Sequence, residues 1–289
     1  MIGVYSMAKF TNYATLSYNG GTTDSNTVTG EILEVLSATK VAVTDNYTAK
    51  DDVTYVLSLV NSGQTAVSGL TISDNLGAYL FGEETVVPLA YHEGSLRYYV
   101  NGVLQAVPTV TAGPPLVISG ISIPAGGNAI LIYEAAVTNY APLGAQATIS
   151  NTATITGAGL SSPLTAVETI SMEARADLNI SKAVCPATVA ENGELTYTFI
   201  IENSGSAPAT VDDNVVLSDT FNPRLDPVSV TVDGVLWTEG VNYTYDEITG
   251  VFATLAGQIT VPAATYTQNQ DGTWTVIPGT ATVVITGTV

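Results

Sequence analysis

Three residue types, placed on the apolar faces of predicted strands, point to amide-bond chemistry. Neighbouring residues of a strand alternate between faces, and this alternation puts Lys40, Asp74 and Asn151 on the same side as their apolar neighbours. A buried lysine is costly unless it is paired or neutral, and burial favours the neutral amine, which is nucleophilic. A protonated aspartate can polarise an asparagine carboxamide, from which ammonia leaves. The three side chains therefore predict a spontaneous isopeptide bond between the lysine and the asparagine.

A second set of the same residue types is split between the two ends of the chain. Lys182 and Asp219 occupy the same kind of apolar face in the second half, and the matching asparagine is Asn12, near the N-terminus. We expect Asn12 to arrive from another chain, which would join two subunits covalently. The alternative is a plain buried ion pair at each lysine, with Asn12 and Asn151 hydrogen-bonding locally. The alternation of faces leaves both interpretations open.

These positions recur because the chain contains an internal repeat. Several motifs of the first half return in the second, and the first three of the pairs given below keep a fixed offset of 142 residues, which is more specific than any single motif. The matched pairs are Lys40 and Lys182, Tyr55 and Tyr197, Asn61 and Asn203, Asp74 and Asp219, and the segments Ile130-Leu131-Ile132-Tyr133 and Val283-Val284-Ile285-Thr286.

Each repeat consists of short alternating segments separated by turn signals. Asn101-Gly102 and Asp233-Gly234 lie between apolar runs and predict two-residue hairpin turns. No amphipathic helical pattern is evident. About seven short strands in a unit of this size are typical of an immunoglobulin-like β-sandwich, so we expect an all-β chain with two such sandwiches in tandem.

The repeats are out of phase with the ends of the chain. The segment Phe10-Thr11-Asn12-Tyr13-Ala14-Thr15-Leu16 matches Ile149-Ser150-Asn151-Thr152-Ala153-Thr154-Ile155, which closes the first repeat, whereas the second repeat reaches Val289 without such a strand. We expect the N-terminal strand either to be lent to a neighbouring copy, which makes a polymer, or to fold across to its own second repeat. The residues expected to insert are Phe10, Asn12, Ala14 and Leu16. The predicted division is a donor strand at 1–20, a connector at 21–37, the first repeat at 38–157, a connector at 158–176 and the second repeat at 177–289.

Composition argues against several functions. The chain carries 7 Lys and Arg against 26 Asp and Glu, a net charge of -19, which disfavours nucleic acid, and no segment has the length of a membrane-spanning helix. His92 is the single histidine and has no serine or cysteine motif beside it, so we expect neither an enzyme nor a cofactor.

Two further features each have a structural and a functional interpretation. Asp51-Asp52 and Asp212-Asp213-Asn214 offer oxygen ligands of the kind that calcium prefers, but they follow no established loop spacing, and solvated turn carboxylates are favoured over a metal site. Cys185 is the single cysteine, and we expect it to be a buried apolar residue and not a nucleophile.

Several motifs together resemble a known repeat family of bacterial and archaeal surface proteins, called "domain of unknown function eleven". The motifs are Asp177-Leu178-Asn179-Ile180-Ser181-Lys182, Glu194-Leu195-Thr196-Tyr197-Thr198-Phe199, Glu202-Asn203-Ser204-Gly205, Ser218-Asp219 and Asn151-Thr152-Ala153. The two-repeat layout is similar to clostridial proteins of this family, and related subunits build ribbon-like appendages on spores.

The resemblance implies an immunoglobulin-like β-sandwich and a place on the spore or cell surface. Together with the unclosed second repeat, it leads us to expect a self-assembling filament subunit whose partners are copies of itself and an anchoring protein that the sequence does not identify. The alternative is a monomeric surface adhesin or carbohydrate-binding module.

Overall fold

The computed structural model describes residues 7–289, with side chains from residue 9 onward. The chain forms two compact units, one made of the described residues up to Ala141 together with Thr148–Ser171, the other of Pro142–Ala147 and Met172–Val289. Strands dominate both units, and the prediction of an all-β, immunoglobulin-like chain is confirmed. In the described part of the chain, no helix is long and apolar enough to cross a lipid bilayer.

The strands of the first unit follow one another with short connections. They are Met7–Asn12 (β1), Thr15–Tyr18 (β2), Gly21–Asp24 (β3), Val28–Leu33 (β4), Leu36–Ala42 (β5), Asn46–Tyr47 (β6), Asp52–Asn61 (β7), Val67–Asp74 (β8), Tyr79–Phe81 (β9), Glu84–Val86 (β10), Leu89–Tyr91 (β11), Arg97–Val100 (β12), Val103–Leu104 (β13), Thr109–Thr111 (β14), Leu116–Ile123 (β15), Asn128–Val137 (β16), Thr148–Thr156 (β17) and Leu164–Met172 (β18).

Two antiparallel sheets enclose the core of this unit. One has the order β13-β12-β16-β7-β5, with β11 also paired to β16, and the other has the order β14-β15-β8-β17-β18-β6. Strand β7 shows why they pack together, because its alternate residues Val53, Tyr55, Leu57 and Leu59 are almost completely buried while the residues between them are less so. Period-two alternation of this kind lines the inner faces of a β-sandwich.

The second unit repeats one of these sheets and only part of the other. Its strands are Leu178–Cys185 (β19), Glu194–Asn203 (β20), Ser218–Thr220 (β21), Val228–Val232 (β22), Val235–Leu236 (β23), Tyr243–Asp246 (β24), Val251–Thr254 (β25), Thr265–Gln268 (β26), Trp274–Ile277 (β27) and Gly279–Thr288 (β28), with a short 3₁₀ helix at Val211–Asp213. One sheet runs β19-β20-β28-β22-β23, and the others are β21-β25-β24 and the hairpin β26-β27. Among the described residues of this unit, nothing pairs with β21 in the way that β17 pairs with β8.

Both predicted hairpin turns are present. Asn101 and Gly102 connect β12 to β13 with φ angles of 48° and 78°, and Asp233 and Gly234 connect β22 to β23 with 48° and 79°. Positive φ at both central residues matches the twist of the flanking strands, and Asn-Gly and Asp-Gly tolerate it.

The repeat extends to a buried asparagine in each unit. Asn61 donates to the carbonyls of Thr65 and Pro124 and accepts from the amide of Gly63. Asn203 makes the equivalent bonds, to the carbonyls of Ala207 and Pro262 and from the amide of Gly205. These two loops are therefore built alike.

The strand register shifts one of the sequence matches by a residue. Tyr133 lies opposite Tyr55 on paired strands, and Ile285 lies opposite Tyr197. Ile285, and not Thr286 as the sequence comparison suggested, therefore takes the place of Tyr133 in the second unit.

The segments predicted as connectors contain strands. The connector at 158–176 includes β18, which pairs with β17. Its residues Ala166 and Ile170 are buried, so this strand covers part of the core of the first unit. The connector at 21–37 includes β3, β4 and the start of β5. These segments are strands because they pair with nearby strands, β18 with β17, β3 with β2 and β4 with β1, and the sequence patterns did not reveal these partners.

Candidate cross-linking site and its open counterpart

A lysine and an aspartate form an ion pair between the two sheets of the first unit. Lys40 lies on β5 opposite Leu57, and Asp74 ends β8 in the facing sheet. The distance from Lys40 Nζ to Asp74 Oδ2 is 2.6 Å, and the two side chains are 0% and 1% exposed. Both charged groups therefore meet in the dry interior of the sandwich.

Two further donors hold the Asp74 carboxylate. The hydroxyl of Tyr133 donates to Asp74 Oδ2 at 2.5 Å, and the backbone amide of Leu76 donates to Oδ1 at 3.0 Å. Burial raises the pKa of Tyr133 well above its ordinary value, so its hydroxyl keeps the proton that it donates. The carboxylate is thus fixed in orientation as well as in position.

Two aromatic rings pack against the lysine. Lys40 Nζ lies 4.7 Å from the ring centroid of Tyr55 and 5.8 Å from that of Tyr133, and the two rings stack with centroids 5.6 Å apart. Burial lowers the pKa of Lys40 to about 8, although the charges of Asp74 and Glu168 act in the opposite direction. The neutral amine is therefore more accessible here than in a lysine exposed to water.

The third predicted residue, Asn151, lies in the same interior. On β17, Ala153 is opposite Asp74, and Asn151 lies two residues away on the same face, which makes it a diagonal neighbour of Asp74. The Asn151 carboxamide is close enough to the hydroxyls of Tyr55 and Tyr133 to lower their pKa values, although burial has the larger, opposite effect. Yet neither its oxygen nor its nitrogen makes a hydrogen bond of normal geometry, although Asn151 is fully buried.

The structure thus brings Lys40, Asp74 and Asn151 into one buried cluster. It supplies an amine, a carboxyl group that can move a proton, and a carboxamide with no competing hydrogen bond. Tyr55, Tyr133 and Glu168 were not among the residues predicted for this site, although the inward alternation of β7 would have pointed to Tyr55. The contribution of Tyr133 depends on the pairing of β16 with β7, which no local pattern specifies.

The second unit has the same ion pair in a different environment. Lys182 Nζ donates a hydrogen bond to the carboxylate of Asp219. Lys182 Nζ also lies 4.7 Å from the ring centroid of Tyr197, as Lys40 Nζ does from that of Tyr55. However, the two side chains are 42% and 19% exposed. The position of Tyr133 is taken by Ile285, so Asp219 has no hydroxyl donor from that strand.

An open groove lies beside this second pair. Its volume is about 380 Å³, and its walls come from the start of β19, from β20 and from the segment that leads into β21. The lining residues are Leu178, Asn179, Ile180, Ile201, Val215, Val216, Leu217 and Ser218.

The first unit shows what fills the equivalent space there. Val216, Leu217 and Ser218 correspond in the repeat to Thr71, Ile72 and Ser73, which are among the residues that pair with β17. The groove is therefore the place of a β17-like strand that the second unit lacks within residues 172–289. We call it the vacant strand site.

The N-terminal segment forms a hairpin of its own. Strand β1 pairs with β4 and β2 pairs with β3, so the predicted single strand from Phe10 to Leu16 is interrupted at Tyr13 and Ala14. All four residues expected to insert, Phe10, Asn12, Ala14 and Leu16, are exposed. Asn12 belongs to the first unit, whereas Lys182 and Asp219 belong to the second.

The remaining candidates make local contacts. Asp51 accepts the amide of Thr48, Asp52 contacts His92 at 2.7 Å, and Asp213 accepts the amide and hydroxyl of Thr210, which lowers the pKa of that carboxyl. Within residues 7–289, no three His, Cys, Asp or Glu side chains are grouped as metal ligands would be.

The prediction that Cys185 is buried is wrong. The residue is exposed, because it ends the edge strand β19, along which every residue is exposed.

Comparison with known proteins gives similarity of structure alone. Neither a protein-family model nor a curated protein matches the chain. Similar solved structures include a variant of BcpA, the major pilin subunit of Bacillus cereus (11% identity, TM-score 0.36, 92% of this chain and 70% of that one). The major pilin SpaD of Corynebacterium diphtheriae matches at 12% identity and a TM-score of 0.34, over 84% and 59% of the two chains. A collagen-binding domain from a Staphylococcus aureus adhesin matches at 15% identity and a TM-score of 0.30, over 47% of this chain and 97% of that one. At such low identities and TM-scores, no conclusion about this chain is drawn from these similarities.

Proposed function

We propose that this chain is the structural subunit of an extracellular filament, which grows head to tail when the N-terminal hairpin of one copy fills the vacant strand site of the next. The observation that carries the proposal is a match within the molecule. The hairpin begins with the same sequence pattern as β17, and the vacant strand site is the place that β17 occupies in the first unit.

The hairpin needs a partner to be stable. An isolated two-stranded hairpin is marginally stable in water. In this hairpin, Phe10 lies opposite Gly30 and Asn12 opposite Val28, so Phe10, Val28 and Ile32 share one face. These three apolar side chains are 45–54% exposed. We call this surface the donor face, and its burial against another chain would remove a hydrophobic surface from water.

The vacant strand site offers what such a hairpin requires. Strand β21 is an edge strand, with free backbone groups that strand addition would satisfy. Leu178 and Ile180, on the wall of the site, are 39% and 50% exposed, whereas Leu36, the counterpart of Leu178 in the first unit, is 8% exposed. Covering the exposed halves of these side chains and of the donor face would contribute about 1 kcal/mol each, or several kcal/mol in total.

The donated element is a two-stranded hairpin and not the single strand that the sequence analysis expected. In the first unit, β17 is accompanied by β18, which pairs with it along its length. In the N-terminal hairpin, β4 accompanies β1 in the same way. Because donor and acceptor surfaces are different parts of the chain, the contact is not closed by two-fold symmetry and propagates as a filament.

Docking would also rebuild the cross-linking site. Asn12 takes the position of Asn151 in the sequence match, so it would arrive beside Lys182 and Asp219. The covered site would then hold the same three groups as the first unit. We propose that this contact matures into a Lys182–Asn12 isopeptide bond between neighbouring copies.

The resemblance to the surface-protein repeat family supports a filament on the cell or spore surface. The very acidic composition is compatible with this location, since a net charge of -19 keeps an assembly soluble and disfavours nucleic-acid partners. An anchoring protein would attach the filament, and the chain itself has a structural and not an enzymatic role.

Negative-stain electron microscopy of full-length protein tests the proposal. We expect filaments from the natural chain and discrete particles from Phe10→Asp, which places a charge on the donor face. Leu80→Asp is the matched control, because Leu80 is also a highly exposed apolar residue of the first unit but lies outside the hairpin. Filaments from Phe10→Asp, or discrete particles from the natural chain, would contradict the proposal and favour a monomeric surface-binding module.

A further inference from the structure

We propose that the first unit forms an intramolecular isopeptide bond between Lys40 Nζ and Asn151 Cγ, without help from another copy. The bond would join β5 of one sheet to β17 of the other through the core. It depends on groups inside a single unit, so it stands or falls independently of the filament.

The nucleophile is supplied by the Lys40–Asp74 pair. With Nζ 2.6 Å from Asp74 Oδ2, the ammonium can pass a proton to the carboxylate, leaving a neutral amine and a carboxylic acid. Neither group is exposed, so water does not stabilise the charged forms. The lowered pKa of Lys40 agrees with a lysine whose neutral form is accessible.

The electrophile is the Asn151 carboxamide. A fully buried amide without hydrogen bonds is rare, because a lost partner costs free energy that the fold must offset. Other buried asparagines of this chain are fully bonded, as Asn61 and Asn203 show. The unpartnered carboxamide of Asn151, a diagonal neighbour of the aspartate that binds Lys40, is explained if Lys40 is its covalent partner.

The reaction balances without an oxidant or any other reagent. The neutral amine of Lys40 attacks Asn151 Cγ while protonated Asp74 donates to the carboxamide oxygen. The new bond is Nζ–Cγ, and the bond that breaks is Cγ–Nδ2. The attacking nitrogen then loses a proton, which Asp74 passes to Nδ2, and ammonia departs. The proton that Asp74 first took from Lys40 also goes to this ammonia, which leaves as ammonium, and Asp74 returns to the carboxylate.

Tyr133 acts as a positioning residue in this scheme. Its hydroxyl and the amide of Leu76 hold the carboxyl group of Asp74 so that one oxygen faces Lys40. The rings of Tyr55 and Tyr133 exclude water from the amine.

Intact-mass spectrometry of the denatured full chain tests the inference. We expect monomeric natural protein to be lighter than its sequence by one ammonia, and peptide mapping to find a branched peptide that joins Lys40 to Asn151. Lys40→Arg, Asn151→Ala and Asp74→Asn should each restore the full mass. Lys182→Arg is the matched control in the second unit and should keep the loss in the monomer.

The outcomes separate the cross-link from other chemistry. Cyclisation of an asparagine to a succinimide also releases ammonia, but it needs no lysine, so a loss that persists in Lys40→Arg would overturn the inference. The full mass in folded natural protein, with folding verified by a cooperative thermal transition, would overturn it too. Because Lys40→Arg and Asn151→Ala alter different strands, agreement between them excludes misfolding of one variant as the cause.

Discussion

The two units share a lysine, an aspartate and a tyrosine ring beneath the lysine, yet one pair is sealed and the other is open. The distance from lysine to ring centroid is 4.7 Å in both. The exposed fractions of lysine and aspartate are 0% and 1% in the first unit, but 42% and 19% in the second. The local sequence therefore places the pair, and the strands β17 and β18 bury it.

The same contrast holds for the asparagine of each cluster. The first unit contains its asparagine, Asn151, on the strand that covers the lysine. The second unit has the vacant strand site at that position, and the corresponding asparagine, Asn12, lies on an exposed hairpin.

The largest expected change is the loss of the first unit's cross-link. Asn151→Ala should lower the free energy of unfolding of this unit by about 4–5 kcal/mol, by analogy with a disulfide that closes a loop of roughly 100 residues. Differential scanning calorimetry measures it. Because Lys40→Arg removes the same bond, the double variant should lose little more than either single variant. Additive losses would show that the two residues act separately.

A second change tests whether the open pair reacts on assembly. Asn12→Ala should keep filaments visible by negative stain but abolish the ladder of multimers that survives boiling in detergent. Hydrophobic contacts and strand pairing would still hold the subunits together. The matched control is Asn26→Ala, an exposed asparagine of the same hairpin. A ladder that persists in Asn12→Ala would contradict a Lys182–Asn12 bond.

The pH dependence of stability probes the lysine when it is not cross-linked. In Asn151→Ala, Lys40 has a folded pKa of about 8 against 10.5 unfolded, so the folded state binds fewer protons between these values and stability rises with pH. We expect a gain of about 2 kcal/mol between pH 8 and 10, measured by denaturant unfolding. Above pH 10, the raised tyrosine pKa values reverse the trend, since the folded state then binds more protons. Adding Lys40→Met should remove the gain, and its persistence would assign the effect to another group.

The smallest expected effect concerns Ile285, the residue that takes the place of Tyr133 in the second unit. Ile285→Tyr would place a hydroxyl where Tyr133 stands in the first unit and give Asp219 a hydroxyl donor in addition to Lys182 and the amide of Thr220. We expect the intersubunit ladder to form up to about tenfold faster, since a hydrogen bond to a charged group contributes roughly 1.5 kcal/mol. Time-resolved gel densitometry measures the rate. A slower ladder would indicate that the ring obstructs the docked hairpin.

Alternation of faces was enough to predict that Lys40, Asp74 and Asn151 lie on the inner face of the first unit, and the Asn-Gly and Asp-Gly pairs were enough to predict the two hairpin turns. These features depend on residues within a few positions of each other. The contribution of Tyr133 depends on a pairing between strands far apart in the chain. The exposure of Cys185 and the incorporation of β18 into the first sandwich depend on strand order and pairing, which no local pattern specifies. The hairpin form of the N-terminal segment also depends on strand pairing, since the chain returns at β4 to pair with β1.

A complementation experiment tests the central claim most directly. Phe10→Asp damages the donor face and leaves the vacant strand site intact, whereas Ile180→Asp charges the wall of that site, where Ile180 is half exposed, and leaves the donor face intact. By light scattering after size exclusion, each variant alone should be monomeric, and an equimolar mixture should give a one-to-one dimer that grows no further. A mixture that stays monomeric, or filaments from either variant alone, would contradict donation of the hairpin to the second unit of another copy.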